Sequence, residues 1–240
     1  MNKNKKTNIA IIGAGRLGTT LAYIIASKNN ENINIVSISS PTQKSLNRAK
    51  KTLGDFSKKI LFTKNNTKAA EEANHIFICT PDDIIKTVCR ELFDQKKQTK
   101  ENLFVIHFSG SKSLVDLKTA QKAGAETLSI HPLKAFASIP GAIKTIKNTE
   151  YGITYTTREG KKCAKKIVEI LKGHTIDVQD NKKPLYHAAA CIASNYLVTL
   201  IDYAVYINKK AGISPEDSIK GLLSLIEGTV KNISENGTKK

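Results

Sequence analysis

The sequence predicts an α/β fold: a doubly wound, mostly parallel sheet followed by a small all-α C-terminal domain. Three observations carry that prediction. Short apolar, β-branched runs alternate with helical patterns through residue 180, the order in which parallel strands are linked by helices. The first such run, Ile9-Ala10-Ile11-Ile12, leads straight into Gly13, Gly15 and Gly18, with Leu17, Leu21, Ala22, Ile24 and Ile25 on a helical period behind. From Lys182 the strand pattern ceases, and Pro184 to Ala211 is apolar-rich and helical without an internal Gly or Pro. Domains are therefore expected at 1–180 and 181–240.

The glycines form G-x-G-x-x-G in the context that gives the pattern meaning, a buried strand before it and a helix after it. Gly13 makes the tight turn, Gly15 lets the backbone approach a pyrophosphate, and Gly18 lets the helix pack on the sheet. The helix starting near Arg16 points unpaired N–H groups and its positive end at that diphosphate. Gly13, Ala14, Gly15, Arg16, Leu17 and Gly18 are thus expected to bind a dinucleotide, in a Rossmann-type domain. The second strand, Ile33 to Ile38, ends about twenty residues after the glycines, where an Asp or Glu would hold the ribose hydroxyls. Here the chain reads Ser39-Ser40-Pro41-Thr42-Gln43-Lys44, with Arg48 one turn later. Hydroxyls and cations without a carboxylate suit a 2′-phosphate. The expected cofactor is NADP(H), with Ser39, Ser40 and Arg48 at its adenosine end.

The remaining elements follow in order. A helix near Gln43 to Leu53 is stopped by Gly54; a short strand (Ile60 to Phe62) and a short helix (Thr67 to Ala73) come next. His75 to Cys79 is a buried strand ending in Thr80-Pro81-Asp82-Asp83, before a helix through Ile84, Ile85 and Val88. Leu103 to Phe108 ends in Ser109-Gly110-Ser111, and a strand reached from Gly124 ends in His131-Pro132. Tyr151 to Tyr155, a helix from Arg158 to Leu171, and Thr175 to Val178 extend the same sheet. Ser214 as N-cap and Pro215 at the first position open the final helix.

Composition removes several classes. The net charge is +17 over 240 residues, yet lysine is dispersed (Lys58, Lys59, Lys161, Lys162) rather than gathered in one tract. With 7 Tyr, 7 Phe and no Trp, stacking platforms are scarce, so no nucleic-acid partner is expected. Cys79, Cys89, Cys163 and Cys191 lack C-x-x-C spacing, which argues against a zinc site or a disulfide framework. Cys79 and Cys191 read as small core residues. No run approaches the ~20 apolar residues of a transmembrane helix, and the basic N-terminus, M-N-K-N-K-K-T-N, lacks the apolar run of a signal peptide. The expectation is a cytoplasmic protein with no membrane partner and no metal.

Ligands in open α/β sheets bind outside the carboxyl ends of strands, and three polar clusters fall there. Thr80 and Pro81 either face the nicotinamide side or form a plain turn, and Asp82 and Asp83 suit a helix cap. His107 falls within a strand pattern and reads as a satisfied core histidine. Ser109 offers a hydroxyl to a carboxylate or the cofactor. His131, at a strand end before a proline, stands open between ligand contact and structural role. On the long helix, Lys183, His187, Cys191 and Ser194 recur at spacings of four, four and three on one face, with Asn195 beside them. A Lys and a His one turn apart on an apolar helix are costly unless paired. The pair is either an ionisable site or an exposed Lys beside a buried, hydrogen-bonded His.

The segments G-A-G-R-L-G, T-P-D-D, H-F-S-G, S-I-H-P-L-K-A-F, K-P-L-Y-H-A-A-A and A-S-N-Y-L-V-T-L, in that order over nearly the whole chain, resemble a bacterial family. Its members pair a Rossmann-like domain with a C-terminal helical domain long left unnamed. The family is similar in plan to pyrroline-5-carboxylate reductases, 3-hydroxyacid dehydrogenases and ketopantoate reductases. Some members act as an alternative ketopantoate reductase, making pantoate for coenzyme A. The resemblance implies NADPH-dependent reduction of a small carboxylate substrate, a 2-oxo acid, with 2-dehydropantoate to pantoate as the leading expectation. It implies Lys183, His187 and Asn195 as catalytic and Ser109, His131 and Ser194 as substrate-binding, and it draws His107 toward the site. Lys183 resembles the lysine that opens the long helix of the hydroxyacid dehydrogenases. The alternatives are an imine such as pyrroline-5-carboxylate, a different oxo acid, or a non-catalytic NADP-binding regulator. Family members usually continue past N-I-x-x-x-G, here Asn232 to Gly237, into further helices, whereas this chain stops at Lys240. The apolar helices bearing Tyr196, Leu197, Leu200, Ile201, Leu222, Leu223, Leu225 and Ile226 are therefore expected to be covered in a homodimer.

Overall fold

The computed structural model describes residues 6–28, 30–94 and 101–238, so most of the basic N-terminus read above lies outside the described residues. The first half runs β1 (Thr7–Ile12), α1 (Arg16–Ala26), β2 (Ile33–Ser39), α2 (Gln43–Leu53), β3 (Leu61–Thr63), α3 (Asn66–Ala70) and β4 (His75–Ile78). It continues through α4 (Ile85–Phe93), β5 (Phe104–His107), α5 (Lys118–Lys122), β6 (Glu126–Pro132), α6 (Ile139–Thr145), β7 (Glu150–Tyr155), α7 (Arg158–Ile170) and β8 (His174–Asp177). The strands form one sheet in the order β3-β2-β1-β4-β5-β6-β7-β8. Every pair is parallel except β6 with β7, which is antiparallel. The chain leaves β1 toward β2 and later returns on its other side at β4. The crevice of such a sheet opens at that reversal, outside the carboxyl ends of the strands, and the glycine loop follows β1 directly.

The apolar runs are continuous because both faces of the sheet are covered. Ile9 and Ile11 pack into one layer with Leu21, Ile25, Leu46 and Ile167. Ala10 and Ile12 point the other way, into a layer with Val88, Cys89, Leu92 and Leu117. Side chains cap the helices where the sequence offers short polar groups: Thr42 accepts from Ser45 N at α2, Asn65 from Lys68 N at α3, and Thr157 from Gly160 N at α7. Two elements escaped the sequence pattern. One is α6, opened by Ser138 accepting from Gly141 N with a Pro in its first turn; the other is α5, preceded by a 3₁₀ turn at Leu114–Leu117. Each is too short to establish a helical period.

The first compact unit reaches His187, and the second comprises residues 188–240. The helical C-terminal segment consists of α8 (Lys183–Cys191), a π-helical turn (Ile192–Tyr196), α9 (Leu197–Lys210) and α10 (Pro215–Asn236). Gly212, at a φ of 85°, makes the turn between the last two. Ser214 caps α10 as expected, accepting from Asp217 N, and Asn208 donates to Ser218 Oγ at 2.8 Å, tying α9 to α10. Two expectations are corrected here. Cys191 is half-buried rather than a core residue. The run Asp180–Lys210 is by length and composition apolar enough to cross a membrane, although a single such helix is weak evidence of insertion and its first residues are built into the sheet, as described below.

Candidate active site

Two of the three loop glycines are dictated by backbone contacts. Gly13 has a φ of +114°, and a Cβ there would lie 2.7 Å from Cys79 O. A Cβ at Gly18 would lie 2.1 Å from Gly13 O, so α1 can approach the loop only without a side chain. Gly15 differs, because nothing stands within 4 Å of its missing Cβ. It is also the N-cap of α1, and no side chain caps that helix. The first-turn N–H groups are left for an anion, and the loop fits a dinucleotide pyrophosphate. Arg48 reaches back from α2, its Nη2 donating to Ala14 O at 3.0 Å, which sets a guanidinium beside the same loop. Arg16 reaches Phe136 O at 3.5 Å, and Leu17 packs on the core.

The two serines after β2 sit differently from the expectation. Both are buried. The Ser39 hydroxyl donates to Asn66 Oδ1 at 2.7 Å, while Asn66 Nδ2 donates to Glu91 Oε2 at 2.8 Å. Ser39 thus spends its proton inside the domain and scaffolds the strand end instead of offering a donor to a 2′-phosphate. Ser40 donates its backbone N–H to Thr63 O at 3.2 Å. Thr80, by contrast, holds a buried Oγ1 with no hydrogen-bond partner among the described residues, directly beyond β4, where a cofactor amide would find an acceptor or donor. Pro81 beside it is exposed.

At the ends of β4 and β5 a carboxylate organises the loop. Asp82 Oδ2 accepts from Ser109 Oγ at 2.5 Å and from Ser111 Oγ at 2.9 Å. Asp82 therefore staples two strand ends and does not cap the following turn, whose N-cap, Pro81, has no side-chain bond. Ser109 Oγ also accepts from the N–H groups of Ser111 and Lys112, at 3.2 and 3.0 Å. With its donor and acceptor capacity taken up this way, Ser109 shapes the loop, and the expected hydroxyl contact to a carboxylate is corrected.

Lys183, the first residue of α8, is 1 % exposed, so the exposed-lysine reading is overturned. Its Nζ donates to Ser109 O at 3.0 Å and to Ser129 Oγ at 2.8 Å. Burial pulls its pKa down to about 8, against the opposing pull of Asp180 and Asp82. Around it stand neutral bases. His107 is a core histidine whose Nδ1 accepts from Ser109 N at 3.2 Å; burial, then Lys183 and His131, push its pKa to about 3. His131 is lowered to about 4 by burial, then by Lys183 and His187, with Asp82 opposing.

His131, Tyr186 and His187 converge. His131 Nδ1 lies 3.1 Å from the Tyr186 hydroxyl, and its ring meets those of Tyr186 and His187 edge-on at 5.5 and 5.7 Å. Two glycines clear the space. A Cβ at Gly110 would lie 2.5 Å from His187 Nδ1 and 2.8 Å from His131, and one at Gly152 would lie 2.7 Å from the Tyr186 hydroxyl. Sequence reading assigned no role to Tyr186; its spacing of three from Lys183 was the available signal. Ser194 and Asn195 lie in the π-helical turn of the second unit, both exposed. That turn changes the angular step of the helix, so the face drawn from Lys183 through Ser194 does not continue unbroken past Cys191.

Residues 8–107 match a family model described as NADP oxidoreductase, coenzyme F420-dependent. Residues 150–240 match a domain of unknown function, DUF2520. The two matches fall on different parts of the chain, the first on β1 through β5 and the second on β7 through the C-terminal helices. The NADP(H) reading of the acid-free stretch after β2 agrees with the first family, while the second names no substrate. No curated protein matches. Among solved structures, a Bacteroides fragilis protein described as an NADP oxidoreductase has a TM-score of 0.73 at 19 % identity, covering 97 % of this chain and 82 % of its own. A Plasmodium falciparum pyrroline carboxylate reductase with NADP bound has a TM-score of 0.65 at 16 % identity, covering 97 % and 80 %. An NADH-preferring ketol-acid reductoisomerase from an uncultured archaeon has a TM-score of 0.74 at 14 % identity, covering 96 % and 70 %. At these identities the likeness establishes the fold alone, and the chemistry must come from the chain's own residues.

Proposed function

We propose that this NADP oxidoreductase reduces the carbonyl of a small 2-oxo acid with NADPH, and that 2-dehydropantoate is the leading substrate. The observation that carries the proposal is Lys183, a buried lysine with a depressed pKa held just past the carboxyl end of β5 and beside the middle of β6. NADPH, when bound, supplies the hydride from its nicotinamide. Hydride addition builds negative charge on the substrate oxygen, which demands a positioned cation and a proton. Lys183 holds two of its three N–H donors on Ser109 O and Ser129 Oγ and keeps one for that oxygen. His131 and Tyr186 form the adjacent hydrogen-bonded pair, with His187 as partner or substitute for the lysine. The catalytic role of Asn195 and the substrate contact of Ser194 rest on family resemblance alone.

A second reading, reduction of an imine such as pyrroline-5-carboxylate, is favoured by the fold shared with the P. falciparum pyrroline carboxylate reductase. Following NADPH absorbance with 2-dehydropantoate, with pyrroline-5-carboxylate and with buffer alone separates the two. Binding of NADPH without turnover of either would leave a regulatory role and refute both.

Two further outcomes are expected. Arg48→Ala should weaken NADPH by ~1–3 kcal/mol, the worth of one charge-assisted contact, and should leave NADH nearly unchanged. Calorimetry giving the unaltered protein equal affinity for both cofactors would remove the basis of the NADP assignment. The second concerns assembly. Tyr196, Leu200, Tyr203, Leu225 and Val230 are all more than half exposed, and apolar surface of that extent marks an interface. A homodimer is proposed, and sedimentation of an active monomer at assay concentration would count decisively against it.

A further inference from the structure

At the other end of the sheet, where β1, β4 and β5 begin, lies a cavity of about 330 Å³. Its floor is apolar: Ile9, Ile25, Phe104, Ile167 and Ile170. Lys6, Lys162 and Lys166 stand around it with one acid, Glu159. A neighbouring cavity of about 410 Å³ shares Ile25, Lys166 and Ile170 with the first and adds Lys28, Lys172 and Glu169. The volumes are those of small-ligand pockets.

The charge around this trough is unbalanced. Five lysines face two glutamates. The ion pairs formed among the described residues, Lys58–Asp55 and Lys161–Asp177, involve none of them. The cations act on one another: the Lys28 pKa is lowered by its partial burial and then by Lys172 and Lys147. His75 adds no charge at neutral pH, since burial and then Lys166 hold its pKa at about 4. Its ring stacks on Phe104 at 4.8 Å and extends the apolar floor. An apolar floor under a cluster of unneutralised cations selects a ligand that is apolar along its body and anionic at one end.

We infer that this trough binds a medium-chain carboxylate, its chain on Ile25, Phe104, Ile167 and Ile170 and its carboxylate among Lys28, Lys166 and Lys172. The site stands apart from the glycine loop and Lys183, so it does not depend on the reductase reading and its ligand does not compete with NADPH.

The test uses the full chain and three probes: octanoate, decanoate and uncharged decanol. By titration calorimetry, decanoate should bind roughly tenfold more tightly than octanoate, the effect of two buried methylenes, and decanol at least about tenfold more weakly than decanoate, for want of the charge. The His75 ring resonances should shift on adding decanoate. Lys166→Glu, an exposed position that leaves folding intact, should weaken decanoate at least about tenfold with NADPH affinity unchanged. Ile170→Asp should act alike, and if it fails to fold, Lys166→Glu with the His75 signal decides. Equal decanoate affinity in Lys166→Glu, or binding that leaves His75 unmoved, would place the ligand on the exposed apolar helices and overturn the inference. So would an absence of decanoate binding.

Discussion

Replacing Lys183 with methionine is expected to lower kcat by ~10²–10⁴-fold, the usual contribution of a general acid, while NADPH still binds. The stability of the variant should depend less on pH. Burial lowers the Lys183 pKa to about 8 from an ordinary 10.5, so between those values the unfolded chain binds more protons than the folded one. Folding stability therefore rises with pH across that window and carries the full cost of the buried charge below it. Methionine abolishes this titration, so thermal melts should show a weaker gain in midpoint between pH 8 and 10. Activity of the unaltered enzyme should fall above about pH 8 as the lysine loses its proton. His107 and His131 make poor alternative acids at neutral pH, because burial holds their pKa values at about 3 and 4. His187→Gln tests the remaining neighbour. If both variants keep near-normal kcat, the Lys183–His187 face is structural and the proposed proton donor is refuted.

What the sequence made legible was local. A strand buried on both faces reads as an unbroken apolar run, and Gly13, Gly15 and Gly18 read as a turn, an open backbone and a close approach, because each property is written within a few residues. The helix starts at Gln43, Arg158 and Pro215 were legible for the same reason, each following a short polar capping residue. What stayed hidden depends on residues far apart in the chain. Asp82 and Ser109 are 27 positions apart, as are Ser39 and Asn66, so no periodicity could reveal that these hydroxyls were already committed. The helical period placed Lys183 and His187 on one face but could not say what that face met. Its partners, Ser109 and Ser129, lie 74 and 54 residues away. The π-helical turn at Ile192–Tyr196 carries no Gly or Pro to announce it.

The glycine loop allows a sharper separation of folding from binding. Gly18→Ala should fail on both counts. Its Cβ would lie 2.1 Å from Gly13 O, with Ile11 Cγ2 at 3.0 Å and Cys79 Cβ at 3.1 Å. Gly13 cannot retreat, since its own Cβ direction is filled by Cys79 O. Helix α1 must move off the sheet, an overpacking that costs ~1–3 kcal/mol or more, and its N–H groups then miss the pyrophosphate. Gly15→Ala should behave differently. Its φ of −73° and ψ of −168° are open to alanine, and nothing lies within 4 Å of the added methyl, so the melting midpoint should stay near that of the unaltered protein. The methyl instead fills the space through which the phosphates reach the backbone. Each hydrogen bond to a charged group lost there is worth ~1.5–3 kcal/mol, so NADPH should bind at least about tenfold more weakly. A Gly15→Ala protein that binds NADPH normally would show that the pyrophosphate lies elsewhere. A Gly18→Ala protein with an unshifted melt would show that α1 has room to spare, and the close approach of helix to loop would no longer explain the third glycine.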